Sequence, residues 1–322
     1  MAPYTVVVTD HDFADLSIER EGLGDIAEVV ELTSNVGERT PDAKETLAEA
    51  DAVVTLRYDL DTDAIAALQD CRVIARYGIG VDNVDLDAAT ERGIPVTNVP
   101  DYCIEEVSIH ALTTCLALGR GLPTYDDSVA AGEWDRGAVP PIHRFSKQTV
   151  GVVGYGAIGR AVGERVDALG ADVLTSDPFL DEAAVADEPA TLVAFETLLE
   201  RSDFVTVHSP LTEDTRGLFD ADAFGRMRED AYLVNVARGP IVDDEALLDA
   251  LDSGDLAGAG LDVFPEEPPA ADHPLRDHPA VVTTPHVAWY SEEANDQRRH
   301  TVVDIVRSVL SGGEAENVVN GV

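Results

Sequence analysis

The glycines of Thr149-Val-Gly-Val-Val-Gly-Tyr-Gly-Ala-Ile-Gly159 are the first residues whose spacing can do chemistry. Gly154, Gly156 and Gly159 stand at the G-x-G-x-x-G interval of a dinucleotide fingerprint. An apolar, strand-like run breaks into a turn, and Ile158, Val162, Val166 and Leu169 then recur at helical spacing. Each glycine has a mechanical task in such a turn: a tight bend, close backbone approach to a pyrophosphate, and close packing of helix on strand. The backbone from Gly154 through Ala157 and Ile158 to Gly159 is therefore read as a phosphate cradle at a helix N-terminus. At the end of the next strand-like run stands Asp177, whose carboxylate can accept from both hydroxyls of an adenosine ribose and would repel a 2′-phosphate. No arginine or lysine lies between Pro178 and Glu188 to hold such a phosphate. NAD is therefore favoured, with NADP or dual use left open because salt screens the repulsion.

Three later segments each follow a buried-looking strand: Asn235-Val-Ala-Arg-Gly239, Leu261-Asp-Val-Phe-Pro-Glu-Glu-Pro268 and Thr284-Pro-His-Val-Ala-Trp289. Ligands of open parallel sheets bind beyond the carboxyl ends of strands, so Arg238, Glu267 and His286 are expected to face one crevice. An arginine fork binds a carboxylate and polarises a neighbouring carbonyl. Histidine titrates near neutrality and can give a proton and take it back. Of the eight histidines, only His286 sits at a strand end followed by an apolar Val-Ala-Trp. A glutamate on its other ring nitrogen would fix the tautomer and favour the protonated ring.

The elements that must position these residues alternate along the chain. Strands are expected at Thr5–Thr9, Ala27–Leu32, Ala52–Leu56, Val73–Arg76 and Pro95–Asn98. A second set is expected at Val150, Asp172–Ser176, Phe204–His208, Ala231–Val236, Leu256–Asp262 and Val281–Thr284. Helical stretches between them argue for parallel α/β units. An apolar helix is expected from Ile104 to Leu118, a polar segment with Trp134 after it, and a last helix over about Glu292–Ser311. The prolines of Pro265–Pro274 leave that stretch as a loop.

Together with Arg76-Tyr-Gly-Ile-Gly-Val-Asp-Asn-Val-Asp85, Val99-Pro-Asp-Tyr-Cys103 and His208-Ser-Pro-Leu-Thr-Glu-Asp-Thr-Arg216, these segments make nearly the whole chain resemble the D-isomer-specific 2-hydroxyacid dehydrogenase family. The resemblance implies an α/β fold of two Rossmann-like, doubly wound parallel-sheet domains. A cofactor domain at 101–290 would be inserted into a discontinuous, flavodoxin-like substrate domain of 1–100 plus 291–322. It implies reversible hydride transfer between a nicotinamide cofactor and a 2-keto acid, giving a D-2-hydroxy acid. Arg238 would hold the substrate and His286 would move the proton. Glu267, matching the family's Glu-Pro better than Glu266, would be the histidine's partner.

Further roles are carried over in the same way. Backbone groups of Ile79 and Gly80 would receive the substrate carboxylate, and Tyr102 and Trp289 would line its side-chain pocket. Asp262 would hold the nicotinamide carboxamide, with Val236, Ala237, Arg238, His286 and Ala288 around that ring. Ser209, Pro210 and Thr215 would contact the adenosine side. A homodimer through the cofactor domain is implied too. Many relatives carry Val-Ala-Glu-His in the helix where this chain has Val107-Ser-Ile-His110, which puts in doubt any polar contact carried over to Ile109. Formate dehydrogenases carry glutamine where Glu267 stands, and a regulated phosphoglycerate dehydrogenase would need an appended effector domain beyond the last helix. The runner-up reading is a corepressor-like relative that uses the nucleotide to drive assembly, since Thr284-Pro-His-Val-Ala-Trp-Tyr290 resembles its segment.

Composition bounds these readings. The 322 residues suffice for two domains with their own cores. Sixty-two acids face 22 bases, a formal net charge of −40, and only Lys44 and Lys147 among the bases are lysines. Such charge repels itself in dilute buffer, and at about 1 M salt the Debye length of about 3 Å removes most of the penalty. A protein adapted to a salt-saturated cytoplasm is expected, without nucleic-acid or membrane partners. Cys71, Cys103 and Cys115 are too few and too irregular for a disulfide framework or a metal site. Met1 runs almost directly into a strand, so a secretory signal is not expected.

Overall fold

Valine recurs in most of the strands, because a parallel strand covered on both faces favours apolar, β-branched residues. The computed structural model describes residues 4–33, 35, 40 and 42–322. The chain divides into two compact units, Met1–Tyr102 with Ser291–Val322, and Cys103–Tyr290.

The first unit runs β1 (Tyr4–Val8), α1 (Ser17–Leu23), β2 (Ala27–Glu31), α2 (Ala43–Ala48), β3 (Ala52–Thr55), α3 (Thr62–Ala67), β4 (Ile74–Arg76), α4 (Leu86–Glu91) and β5 (Val96–Thr97). Its five strands lie in the order β2-β1-β3-β4-β5, all parallel. This is the flavodoxin-like order, reversing direction between β1 and β3. The core includes Val7, Val53, Ile65, Leu68 and Ile74, none of which reaches solvent.

The second unit runs α5 (Ile104–Gly119), α6 (Leu122–Ala130), β6 (Thr149–Val153), α7 (Ala157–Ala168), β7 (Asp172–Ser176), β8 (Ala190–Leu192), α8 (Phe195–Arg201), β9 (Phe204–Val207), α9 (Ala221–Phe224), β10 (Tyr232–Asn235), α10 (Asp244–Ser253), β11 (Gly258–Leu261) and β12 (Val281–Thr283). Its seven parallel strands are ordered β12-β11-β10-β9-β6-β7-β8, a Rossmann arrangement whose switch point lies between β6 and β9. Register places Val150 and Val152 of β6 beside Phe204 and Thr206 of β9. The chain then returns as α11 (Glu292–Leu310) to pack on α1, β3 and β4 of the first unit.

Two elements escape the sequence reading. β8 is a three-residue edge strand, too short to carry a period. α6 buries none of its residues, so it lacks the apolar stripe by which a helix is recognised. The acids also have local work. Asp61, Asp85, Asp220 and Asp243 each accept from first-turn N–H groups of α3, α4, α9 and α10. Each such cap stabilises its helix by about 1 kcal/mol. Among the described residues the buried acids are Asp10, Glu19 and Asp262.

Candidate active site

Three glycines divide the work of the turn after β6. Gly154 takes φ 86°, and a Cβ there would meet the Ser209 backbone N at 2.7 Å. A Cβ on Gly159 would lie 2.2 Å from the Gly154 carbonyl oxygen, so helix and strand need this residue bare. Around Gly156, by contrast, nothing lies within 4 Å of an added Cβ. Gly156 caps α7 with no side chain bonded to the first-turn N–H groups. An open backbone face and uncapped N–H groups at the positive end of a 12-residue helix suit an anionic pyrophosphate.

One residue beyond β7, Asp177 accepts the Tyr155 N–H on Oδ2 and the Phe179 N–H on Oδ1, each at 2.9 Å. A carboxylate oxygen accepts two bonds, so each can take one of two vicinal ribose hydroxyls. Beyond β9 the His208 ring lies 2.9 Å from Thr206 Oγ1, and burial pushes its pKa down to about 3, which keeps it neutral. In the following loop the Thr215 hydroxyl donates to the Pro210 carbonyl and accepts from the Thr212 N–H, both at 2.7 Å. Thr215 thus shapes the loop that carries Ser209 and Pro210.

β10, β11 and β12 are neighbours, so the loops beyond them leave one edge of the sheet. Asn235 folds the first of these loops: its amide accepts from the Ala237 N–H at 3.1 Å and donates to the Arg238 carbonyl at 2.9 Å. The Arg238 guanidinium donates to the Ala237 carbonyl at 2.7 Å. Gly239 follows, where a Cβ would fall 2.0 Å from the carbonyl carbon of Phe264. Only glycine lets the Arg238 loop lie against the segment leading to Glu267.

Glu267 Oε1 accepts the Phe264 N–H at 3.2 Å, and Oε2 lies 2.6 Å from His286 Nδ1. The two side chains are 24% and 28% exposed, so the pair is sheltered but reachable. With Nδ1 donating to the carboxylate, Nε2 is the ring nitrogen left to exchange a proton. His286 itself has φ 54°, a left-handed conformation that a histidine seldom adopts. Its N–H donates to the Asp262 carbonyl at 2.7 Å, and its carbonyl accepts from Trp289 Nε1 at 2.9 Å. Trp289 therefore braces the His286 turn. The Asp262 carboxylate, one residue past β11, takes the Val287 and Ala288 N–H groups at 2.9 Å each.

Val236, Ala237, Arg238, Asp262, Glu267, His286 and Ala288 all belong to the second unit, as do the glycines and Asp177. Ile79, Gly80 and Tyr102 belong to the first. There Asn98 Nδ2 donates to the Ile79 carbonyl at 2.7 Å, and Tyr102 is buried. Sequence reasoning missed the roles of Asn235 and Gly239. Both lie inside quoted segments, but only their contacts reveal what they hold. Cys103 and Cys115 are buried, and burial raises the Cys115 thiol to about 12. Among the described residues, no His, Cys, Asp and Glu side chains gather to hold a metal ion, and no helix is long and apolar enough to cross a membrane.

A Rossmann sheet with this glycine turn and an Arg–Glu–His constellation on one edge defines a nucleotide-dependent α/β protein. Residues 112–288 match the family described as "D-isomer specific 2-hydroxyacid dehydrogenase, NAD binding domain". The chain belongs to that family, and this stretch is its NAD binding domain. It is 40% identical over 284 residues to a D-3-phosphoglycerate dehydrogenase of Mycobacterium bovis, covering 87% of this chain and 53% of that protein. The chain therefore spans about half the length of the phosphoglycerate dehydrogenases it matches. A glycerate dehydrogenase of Methylorubrum extorquens is 36% identical over 282 residues, covering 85% of this chain and 87% of that one. A crystal structure of D-lactate dehydrogenase from Aquifex aeolicus, complexed with NAD and lactic acid, superposes with a TM-score of 0.86. It is 27% identical and covers 95% of this chain and 96% of that one.

Proposed function

We propose that this chain is an NAD-linked D-2-hydroxyacid dehydrogenase that reduces 2-keto acids to D-2-hydroxy acids and catalyses the reverse reaction. The observation that carries the reading is the 2.6 Å contact of Glu267 Oε2 with His286 Nδ1 on the sheet edge that also presents Arg238. Bound nicotinamide supplies or accepts the hydride. Arg238, a permanently charged fork, holds the substrate carboxylate and polarises the keto oxygen. His286 Nε2 gives its proton to the oxygen as the carbonyl carbon is reduced, and takes it back when the alcohol is oxidised. Glu267 holds the ring with Nδ1 protonated and stabilises the cation while the ring carries both protons. Asp177 selects for a free 2′-hydroxyl, which favours NAD over NADP. The roles given to the backbone of Ile79 and Gly80 and to Tyr102, Trp289, Ser209, Pro210 and Thr215 belong to this same proposal.

NADH oxidation measured with a panel of 2-keto acids in molar salt tests the reading, with NADPH run in parallel. Turnover of at least one keto acid is expected, faster with NADH. Tight nucleotide binding without turnover of any keto acid would overturn it and favour an assembly role for the nucleotide-bound chain.

The net charge of −40, with so few acids buried, further supports a salt-adapted protein of the cytoplasm with an acidic surface. Its melting temperature should rise from dilute buffer to molar KCl; a flat response defeats this part. A homodimer through the second unit is supported by Leu122, Val129 and Trp134, which are 58%, 52% and 92% exposed. Light scattering in molar salt would settle the mass.

A further inference from the structure

We infer that Thr284 and His110 are positioning residues that hold His286 in its proton-transfer geometry through the buried Asp262 carboxylate. This rests on the dehydrogenase reading and deepens it.

The contacts form one chain. Asp262 has a side chain 1% exposed, and its Oδ1 accepts the Thr284 hydroxyl at 2.5 Å and the Val287 N–H at 2.9 Å. Its Oδ2 accepts the Ala288 N–H at 2.9 Å. A carboxylate only accepts, so the Thr284 hydroxyl must be the donor there and has no second proton to give. His110 Nε2, on α5 and 3.1 Å from the same Oγ1, must then carry a hydrogen and donate to it. The ring nitrogen also lies 3.9 Å from Asp262 Oδ1, so a protonated His110 would be drawn toward the same carboxylate.

The turn wrapped around this carboxylate is the one that carries the proton-moving ring. Thr284 enters it, Val287 and Ala288 leave it, and His286 sits between with φ 54°. The His286 N–H is shared between the carbonyls of Asp262 at 2.7 Å and Thr284 at 3.1 Å. An uncommon backbone conformation persists only where its surroundings over-determine it. Here the surroundings are Asp262 and the hydroxyl that fixes its rotation. Without that hydroxyl, Oδ1 keeps a single buried partner, and the carboxylate turns to find another. Val287 and Ala288 then lose their acceptor, the turn relaxes, and His286 Nδ1 swings off Glu267. His110 acts one bond further out, by orienting the hydroxyl, so its removal has the smaller effect.

Thr284→Val keeps the branched shape and removes only the hydroxyl, whereas Thr284→Ser keeps the hydroxyl. Long-range proton–nitrogen spectra of the holoprotein with NAD report the His286 ring directly, without turnover. In Thr284→Val the Nδ1 resonance is expected to leave its wild-type position, and in Thr284→Ser to stay. kcat should fall roughly 10- to 100-fold in Thr284→Val, because a small misplacement at a reacting centre costs on the order of 100-fold. NADH affinity should fall less than kcat in the same variant, since the glycine turn and Asp177 are untouched and only the expected Asp262 contact with the nicotinamide carboxamide is disturbed. His110→Leu should lose less and His110→Gln, which can still donate, less again. A wild-type His286 spectrum in Thr284→Val overturns the inference, as does an equal loss in Thr284→Ser. A wild-type chain with the expected ring behaviour but no turnover of any keto acid would sink the dehydrogenase reading alone.

Discussion

Two carboxylates in this chain meet a nitrogen base at the same distance and have opposite surroundings. In the first unit, Glu19 Oε2 lies 2.6 Å from Arg299 Nη2, with side chains 1% and 8% exposed. Tyr77 Oη donates to the same carboxylate at 2.9 Å, and the Arg299 guanidinium lies 4.4 Å from the Phe13 ring centroid. In the second unit, Glu267 meets His286, also at 2.6 Å, where both side chains are about a quarter exposed. The first base cannot lose its proton, whereas an imidazole can give one and take it back. Buried Arg299 fastens the returning α11 to α1, closing a unit built from both ends of the chain. Half-sheltered His286 stays open to solvent. Distance alone does not tell a fastening from a working pair; the base and its access to water do.

Breaking the working pair should cost most in rate and little in stability. His286→Ala is expected to lower turnover about 10²- to 10⁴-fold, the usual contribution of a positioned acid–base group. NADH affinity, read by fluorescence titration, should stay near wild type. Activity close to wild type in that variant would end the proton-transfer assignment.

The fastening should show the reverse pattern. Glu19→Gln leaves the Arg299 charge buried with a neutral partner, and losing one member of such a pair costs about 3–5 kcal/mol. Urea unfolding in molar salt measures this. The Glu19→Gln, Arg299→Met double variant should recover part of the loss, and a double variant no better than the single would contradict it.

His208, whose ring meets the Thr206 hydroxyl rather than a carboxylate, sharpens the contrast through pH. Its folded pKa of about 3 lies below the 6.5 expected in the unfolded chain. The unfolded chain therefore binds a proton below pH 6.5 that the folded chain refuses. The stability associated with this residue is whole above pH 6.5 and drains away as pH falls toward 3. His208→Gln should flatten the wild-type stability profile across that window, and an unchanged slope would show that other groups set it.

The smallest effect belongs to an exposed counterpart of the fastening, Arg307 with Asp25. Their contacts are 2.6 and 2.7 Å, and the hydrogen bonds from Arg307 hold the Asp25 carboxyl below its ordinary value. Both side chains are open to water, at 42% and 62% exposure. Asp25→Asn should lower the melting temperature slightly in dilute buffer and not at all in molar salt. A loss that persists in salt would mean that the pair does more than its exposure allows.

Much of this was legible in the order of residues, because local physics writes it there. Apolar runs broken by turns specify parallel strands, and glycines at fixed intervals specify a turn in which Gly154 and Gly159 leave no room for a side chain. A carboxylate at the next strand end supplies hydrogen-bond acceptors there, and the charge of −40 is plain. The tertiary structure alone decided which groups meet. Glu266 and Glu267 are adjacent and alike, and only the family's Glu-Pro pattern favoured the second; packing of the proline-rich loop then brings its Oε2 to His286. His110 and Thr284 stand 174 residues apart and join only when α5 lies against the sheet. Spacing along a chain reports what one segment can do, whereas a buried polar network depends on the directions in which several segments point once the core has formed.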